Sequence, residues 1–314
     1  MFHYIIMLPY LELLQYIKDN GVDVADRTWV WTRKVFGAQM RYDLAKWFPL
    51  VTTKKTFLRG IVVELIRLIR WETNIKYLVD RNVRIWNEWP FQHYLKENNL
   101  EESFPKYSES RSEKMTWFIQ TIKDKDANDP FVQQWWDLWP VYGHQWRNYN
   151  GSWVDQLRQA INLIRNNPTS RRIIVNAWNP AQIQDMLLPP CHMFYQMNVD
   201  TTNNKLHLQM YQRSCDMFLW VPFNIASYST LLLLLAKITW LEAGTFVHTL
   251  GDAHIYQNHR EAVNEQLTRE PLPLPKLNIL KHIKTIEDIE ALEWEDFELV
   301  GYQSHPRIKA PVAV

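Results

Sequence analysis

Two short stretches hold most of the side chains that could do chemistry. Pro190-Cys191-His192 offers a thiol nucleophile beside an imidazole. Downstream, Tyr211 to Tyr228 reads Tyr-Gln-Arg-Ser-Cys-Asp-Met-Phe-Leu-Trp-Val-Pro-Phe-Asn-Ile-Ala-Ser-Tyr. Within it Arg213, Ser214, Asp216 and Asn224 supply a cation, a hydroxyl, a carboxylate and a carboxamide. That inventory suits an anionic nucleotide whose base is read by a side-chain amide. A thiol attacks as its thiolate, so such a nucleophile needs a nearby cation to lower its pKa. A lone cysteine is usually a small buried hydrophobe, and that reading is kept for the Cys215 side chain. Asn224 taken alone could equally cap a helix starting near Ile225.

Periodicity places these residues on elements. Leu11, Leu13, Leu14 and Ile17 recur at helical spacing over Tyr10 to Asn20, with Asn20-Gly21 as the stop. Asp26-Arg-Thr begins a loop leading to a strand at Val35-Phe36. A second helix covers Phe57 to Ile69, with Glu64 between Val63 and Leu65. A carboxylate there is either on the solvated face or a buried acid with a task. Asn87 to Asp137 is the least structured stretch by pattern, with helical pieces around Met115 to Ile122. Arg172–Ala177, Met193–Val199 and Leu206–Tyr211 read as strands, and Ile225–Leu241 as a long apolar central helix. His254 and Tyr256, in Gly251-Asp-Ala-His-Ile-Tyr, would pass alone as helix-start residues.

Composition bounds the answer. Lys+Arg 35 against Asp+Glu 34 gives no basic excess to drive nucleic-acid binding, so anions must be met by local clusters. Two cysteines make no disulfide framework and point to a reducing, cytoplasmic setting. The apolar start, Met1 to Met7, lacks a basic region and a cleavage site, so it is a poor signal peptide, and Met7 is a candidate initiator. The run Leu231 to Ala236 is too short to span a bilayer. One number is abnormal: Gly is 8 and Trp is 16, whereas average usage of roughly 7% glycine would give about 22.

From Tyr10 to the tail Ile308-Lys-Ala-Pro-Val-Ala-Val314, the chain resembles the thymidylate synthase family. The resemblance implies an α+β fold of three-layer α/β type: one domain over 1–314, with an insertion at about 90–136. Its mixed sheet packs against helices and offers one face to a homodimer partner. It implies reductive methylation of dUMP to dTMP by 5,10-methylenetetrahydrofolate, with no metal, nicotinamide, membrane or obligatory nucleic acid. In the family's pattern Cys191 attacks uracil C6, activated by Arg213. Glu64 organises water and moves protons, and Tyr142 helps remove the C5 proton. The dUMP set is Arg27, Arg213, Ser214, Cys215, Asp216, Asn224, His254 and Tyr256, with Arg171 and Arg172 reaching into the partner's site. Asn224 would accept from N3–H and donate to O4; His254 and Tyr256 would bind the ribose 3′-hydroxyl. Ile85, Trp86, Leu188, Asp216 and Ala313 match the folate side, and Ala313-Val314 would close over the ligands. Alternatives are a dUMP 5-hydroxymethylase on the same scaffold, or a non-catalytic nucleotide- or RNA-binding homologue.

The sequence also departs from the family. Phe57 replaces a histidine found in some members, and Arg67 stands where tryptophan is usual. Trp29, Trp31, Trp47, Trp71, Trp136, Trp139 and Trp220 stand where the family has glycine, with Trp153 and Trp240 as further candidates. Trp86, Trp89, Trp146 and Trp178 sit where the family has tryptophan. One cause would cover the set: some bacterial lineages read UGA as glycine, and a UGA-tryptophan table writes Trp at each.

Overall fold

Leu8–Asn20 forms α1, its apolar face closing on Tyr10, Leu14 and Ile17, and Gly21 stops it with a backbone N–H on the Ile17 carbonyl. The computed structural model describes residues 7–25 and 30–312. Arg27, Trp29 and Ala313, with the rest of Asp26–Trp29, Val314 and the first six residues, lie outside the described residues. In chain order there follow β1 (Val22–Val24), β2 (Thr32–Asp43), α2 (Leu58–Ile69), α3 (Lys76–Asp80) and α4 (Glu88–Glu97). Next come α5 (Glu109–Asp124), α6 (Pro130–Trp135), α7 (Gly143–Arg147), α8 (Gln156–Asn166) and β3 (Ile174–Asn176). The remainder is β4 (His192–Asp200), β5 (Lys205–Asp216), α9 (Trp220–Ile238), β6 (Glu242–Tyr256), α10 (Arg260–Thr268), β7 (Lys276–Ile279), α11 (Ile286–Glu290) and β8 (Phe297–Val300).

The chain divides into two compact units: one of residues 1–62, 157–175 and 191–314, the other of 63–156 and 176–190. The first is built on a six-stranded sheet in the order β1-β2-β6-β5-β4-β3. It is mixed: β5 and β6 run parallel, whereas β2 pairs β6 and β4 pairs β5 antiparallel. Leu206, Leu208 and Met210 alternate inward along β5, which is why that strand was legible as period two. The apolar α9 packs on β5 and β6 and is almost wholly buried. Among the described residues it is the one helix long and apolar enough to cross a membrane, and here it is the core helix.

Three expectations change. The long helix begins at Trp220, five residues early, because Pro222 falls in its first turn, where a missing N–H costs no hydrogen bond. Asn224 therefore lies inside α9, and its role as a cap is excluded. His254 and Tyr256 end strand β6, with His254 paired to Lys34 on one side and Asp216 on the other.

In the second unit, Asn87–Asp137 carries three helices and is not the loose stretch its composition suggested. Ser108 and Asp129 cap α5 and α6, Pro130 begins α6, and Arg111 pairs Glu88 at 2.6 Å. A ring cluster of Phe91, Tyr94, Phe118, Phe131 and Trp135 forms its core. Arg67, fully buried, donates to the Thr73 and Asn74 carbonyls at 2.6 and 3.0 Å, so it pins the turn after α2. Burial lowers its pKa to about 10, against the pull of Glu64 and Asp137.

Candidate active site

Strand register assembles the nucleotide side of the site. His192 faces Gln212, so the preceding residue, Cys191, arrives beside Arg213, and the Arg213 N–H donates to the Cys191 carbonyl at 2.8 Å. The ladder slips between His192 and Phe194, an irregularity of the kind that re-aims side chains at a strand end. Cys191 is partly exposed. Cys215 is fully buried with its thiol on the Gln212 carbonyl at 3.3 Å, and burial pushes its pKa well up. Any nucleotide contact by Cys215 would thus go through its backbone.

Next in β5, Asp216 accepts on Oδ1 from the Phe218 and Leu219 N–H groups, at 3.0 and 3.1 Å, which shapes the turn into α9. Burial would raise its pKa, but His259, His254 and the Leu219 N–H outweigh it and hold the carboxyl low. His259 Nδ1 stands 3.7 Å from Asp216, while its Nε2–H donates to the Pro311 carbonyl at 2.7 Å. The C-terminal segment is therefore tethered one side chain away from Asp216. Across the register from Asp216, His254 bonds Asp252 at 3.0 Å, and Lys34 reaches the same carboxylate at 2.5 Å. Tyr256 packs edge-on to the His254 ring. Arg171 and Arg172 are both exposed on the segment before β3.

Sequence reading missed a buried polar chain behind Asn224. His192 does not serve as a free base: its Nε2 meets Asn224 Nδ2 at 2.9 Å and its Nδ1 meets the Tyr228 hydroxyl at 3.2 Å. Burial, with Arg213 nearby, lowers its pKa to about 3, so it is neutral. Gln212 bonds Asn224 at 3.0 Å and His248 bonds Gln212 at 2.9 Å. Lys54 was missed too. It is buried, donates to the Phe218 carbonyl, and has its pKa lowered to about 7 by burial, with Asp216 opposing. The signal available was a lysine close behind the apolar run Phe48 to Val51.

The second unit holds Glu64, Tyr142, Ile85, Trp86 and Leu188. Trp86 donates its indole N–H to Glu64 at 2.5 Å, so the acid is not on a solvated face. Burial lifts its pKa to about 7 against Trp86 and Arg67, a value suited to giving and taking protons near neutrality. Tyr142 is buried with its ring edge-on to Trp86, at a backbone φ of 35°. Ile85 and Leu188 are half-buried. Among the described residues no cluster of His, Cys, Asp and Glu is disposed to hold a metal ion.

The raised Glu64 pKa has a stability consequence. Between 4.5, its ordinary value, and about 7 the folded chain keeps a proton that the unfolded chain releases. The contribution is thus full below about pH 4.5 and lost as pH rises through 7. Glu64→Gln does not titrate and keeps an acceptor for Trp86. It should gain on the parent by about 3 kcal/mol as pH rises from 4.5 to 8. Urea midpoints with the same pH dependence in both proteins would show that Glu64 is not lifted.

A partly exposed thiol beside an arginine, with a carboxamide of α9 held on the neighbouring His192, is a set of groups able to bind and modify a nucleotide. The thymidylate synthase family model matches residues 8–314, and the chain belongs to that family. It is 52% identical to the thymidylate synthase of Mycoplasma mobile over 308 residues, 98% of this chain and 100% of that protein. The enzymes of the same name from Malacoplasma penetrans and Mesoplasma florum are each 50% identical, with the same coverage.

Proposed function

We propose that Cys191, Arg213 and Asn224 carry out the thymidylate synthase reaction: dUMP and 5,10-methylenetetrahydrofolate give dTMP and dihydrofolate. The observation that carries this assignment is the register that sets Cys191 against Arg213, with Asn224 tied to the adjacent His192. The Arg213 cation favours the Cys191 thiolate, which adds to uracil C6 and makes C5 nucleophilic. The Asn224 amide holds the base, donating to O4 where negative charge develops. The folate supplies both the carbon and the hydride. Arg27, Arg213 and Ser214 bind the phosphate, and His254 and Tyr256 the ribose. Asp216 meets both ligands on its folate-facing side, while Glu64 and Tyr142 manage protons. Ile85, Trp86 and Leu188 contact the folate, and Ala313 closes over it. The name shared by the curated relatives favours this chemistry over the hydroxymethylase and over a non-catalytic binder.

Arg171 and Arg172 are assigned to the partner's site in a homodimer. Ile174 and Phe194 leave apolar side chains exposed where their strand neighbours Val175 and Tyr195 are buried, which supports a sheet face that meets a second copy.

Incubation with 5-fluoro-dUMP and methylenetetrahydrofolate should trap a covalent ternary complex, because fluorine cannot leave C5 as a proton does. Peptide mass spectrometry should find the adduct on Cys191. An adduct elsewhere, or none in folded protein that binds dUMP, would sink the assignment. Asn224→Asp should weaken dUMP turnover and improve that of dCMP, since reversing one hydrogen-bond partner typically shifts discrimination by orders of magnitude. Unchanged nucleotide preference would show that Asn224 does not read the base. Kinetic comparisons are made on soluble full-length protein, with glycine restored at the questioned tryptophans where solubility requires it.

A further inference from the structure

We propose that His248 is a positioning residue that fixes which pyrimidine this site accepts, acting through Gln212 on the Asn224 amide. The inference rests on the reading of Asn224 as the residue that recognises the base. His248 lies fully buried in β6, between Met40 of β2 and Met210 of β5. Its Nε2 is 2.9 Å from Gln212 Oε1. Gln212 Nε2 bonds both the Ser214 carbonyl, at 2.9 Å, and Asn224 Oδ1, at 3.0 Å. Asn224 Nδ2 then meets His192 Nε2, and His192 Nδ1 meets the Tyr228 hydroxyl.

The polarity of this chain follows from one fixed acceptor. A backbone carbonyl can only accept, so the end of Gln212 facing Ser214 must be its NH₂, and its oxygen must face His248. His248 must therefore donate from Nε2. Its Nδ1 is then a bare lone pair, and that atom is buried with no hydrogen-bond partner among the described residues. Toward the site, Asn224 Oδ1 accepts from Gln212 and its Nδ2 donates to His192, whose other nitrogen donates to Tyr228. Each end of the Asn224 amide spends one valence on the protein and keeps one for the base.

That direction matters because an asparagine amide turned by 180° has nearly the same shape. As held, Asn224 offers an acceptor to N3–H and a donor to O4, the uracil pattern. Turned over, it offers a donor to a bare N3 and an acceptor to a 4-amino group, the cytosine pattern. Turning it would set two NH₂ groups against each other at Gln212 and two acceptors at His192. Gln212 could relieve the first clash by turning too. It would then point its oxygen at the Ser214 carbonyl and its NH₂ at the His248 N–H. The Ser214 carbonyl opposes that turn, and the His248 Nε2–H, fully buried in β6, opposes it a second time and holds the Gln212 oxygen in place.

The test uses His248→Met, which keeps bulk without a donor, and His248→Gln, which restores an N–H at similar reach. Each left-over buried polar partner corresponds to roughly ten- to hundred-fold in affinity. In His248→Met the preference for dUMP over dCMP in kcat/KM should therefore fall by about tenfold or more. The loss should appear mainly as a raised KM for dUMP, and His248→Gln should recover most of it. A merely structural role would lower turnover on both nucleotides and leave their ratio alone. Asn224→Asp, run alongside, separates the two readings. If Asn224→Asp shifts the ratio and folded His248→Met does not, His248 is no positioning residue. If Asn224→Asp itself leaves the ratio unchanged, the base-reading role has failed, and this inference with it. A measurement on the parent protein needs no variant to fold: long-range 15N–1H spectra should show His248 as the neutral Nε2–H tautomer. The Nδ1–H tautomer would overturn the proposal.

Discussion

Cys191→Ser is expected to lower dTMP formation by on the order of a thousandfold or more, while dUMP still binds. A serine hydroxyl is far less acidic and less nucleophilic than a thiol, so the Cβ–O group should not add to C6 at a useful rate. Binding should persist because the proposal gives the phosphate and base contacts to other residues, Arg213, Ser214 and Asn224. The 5-fluoro-dUMP adduct should vanish with turnover, and isothermal titration should return a dUMP affinity within about threefold of the parent's. Cys215→Ser is the matched control. Its side chain is fully buried with the thiol on the Gln212 carbonyl, so the change should cost about 1 kcal/mol of stability and little activity. Equal and complete loss in both folded variants would remove the nucleophile from Cys191.

The sheet and its core helix were legible because their residues obey local periodicities. Tyr195, Met197 and Val199 alternate inward along β4, and α9 is apolar nearly all round. The candidate nucleophile could be singled out because Pro-Cys-His is a local word, and the structure leaves Cys191 partly exposed. What stayed hidden depends on register. His192 and His248 are 56 positions apart, and only the pairing of β4, β5 and β6 brings them to the same amide through Gln212. Lys54 owes its altered acidity to burial, which neighbours in sequence do not report. Asn87–Asp137 misled for the opposite reason: its polar composition masks three helices, two of them capped, whose rings form a core only once they are packed together.

Restoring glycine at the questioned tryptophans is expected to turn a poorly folding chain into a stable, soluble enzyme, and the backbone now says at which positions most firmly. Trp71, Trp139, Trp153 and Trp240 have φ of 53°, 61°, 59° and 58°. This is the left-handed region, where a Cβ crowds the carbonyl and a bulky residue is a genuine outlier. Two of them occupy the position after a helix end where glycine is most favoured. After α2, Trp71 N–H bonds the Leu68 carbonyl and Glu72 N–H the Arg67 carbonyl; after α9, Trp240 N–H bonds Lys237 and Leu241 N–H bonds Ala236. The same pair of bonds closes α3 and α4, and there the left-handed residues are Asn82 and Asn99, which tolerate the conformation. Trp86, Trp89, Trp146 and Trp178, the four expected to be true tryptophans, are not among the residues of positive φ. Trp86 and Trp146 are buried, whereas Trp153 and Trp240 are 79% and 66% exposed, as core tryptophans are not. Trp31 is also exposed, and Trp136 is packed inside with its indole N–H unpaired among the described residues. Each left-handed tryptophan costs about 1 kcal/mol, and the four together take a large part of the 5–15 kcal/mol a domain holds. Trp71→Gly and Trp240→Gly should therefore each raise stability by about 1 kcal/mol in urea titration. Restoring the whole set should recover dimer formation and dTMP synthesis. The gene should carry TGA at 29, 31, 47, 71, 136, 139 and 220, and by the backbone argument at 153 and 240, but TGG at 86, 89, 146 and 178. Peptide masses from the native source should then show glycine at the first set. TGG codons there, or a fully active soluble dimer made with tryptophan at every one, would show that these side chains are genuine and that the left-handed turns tolerate them.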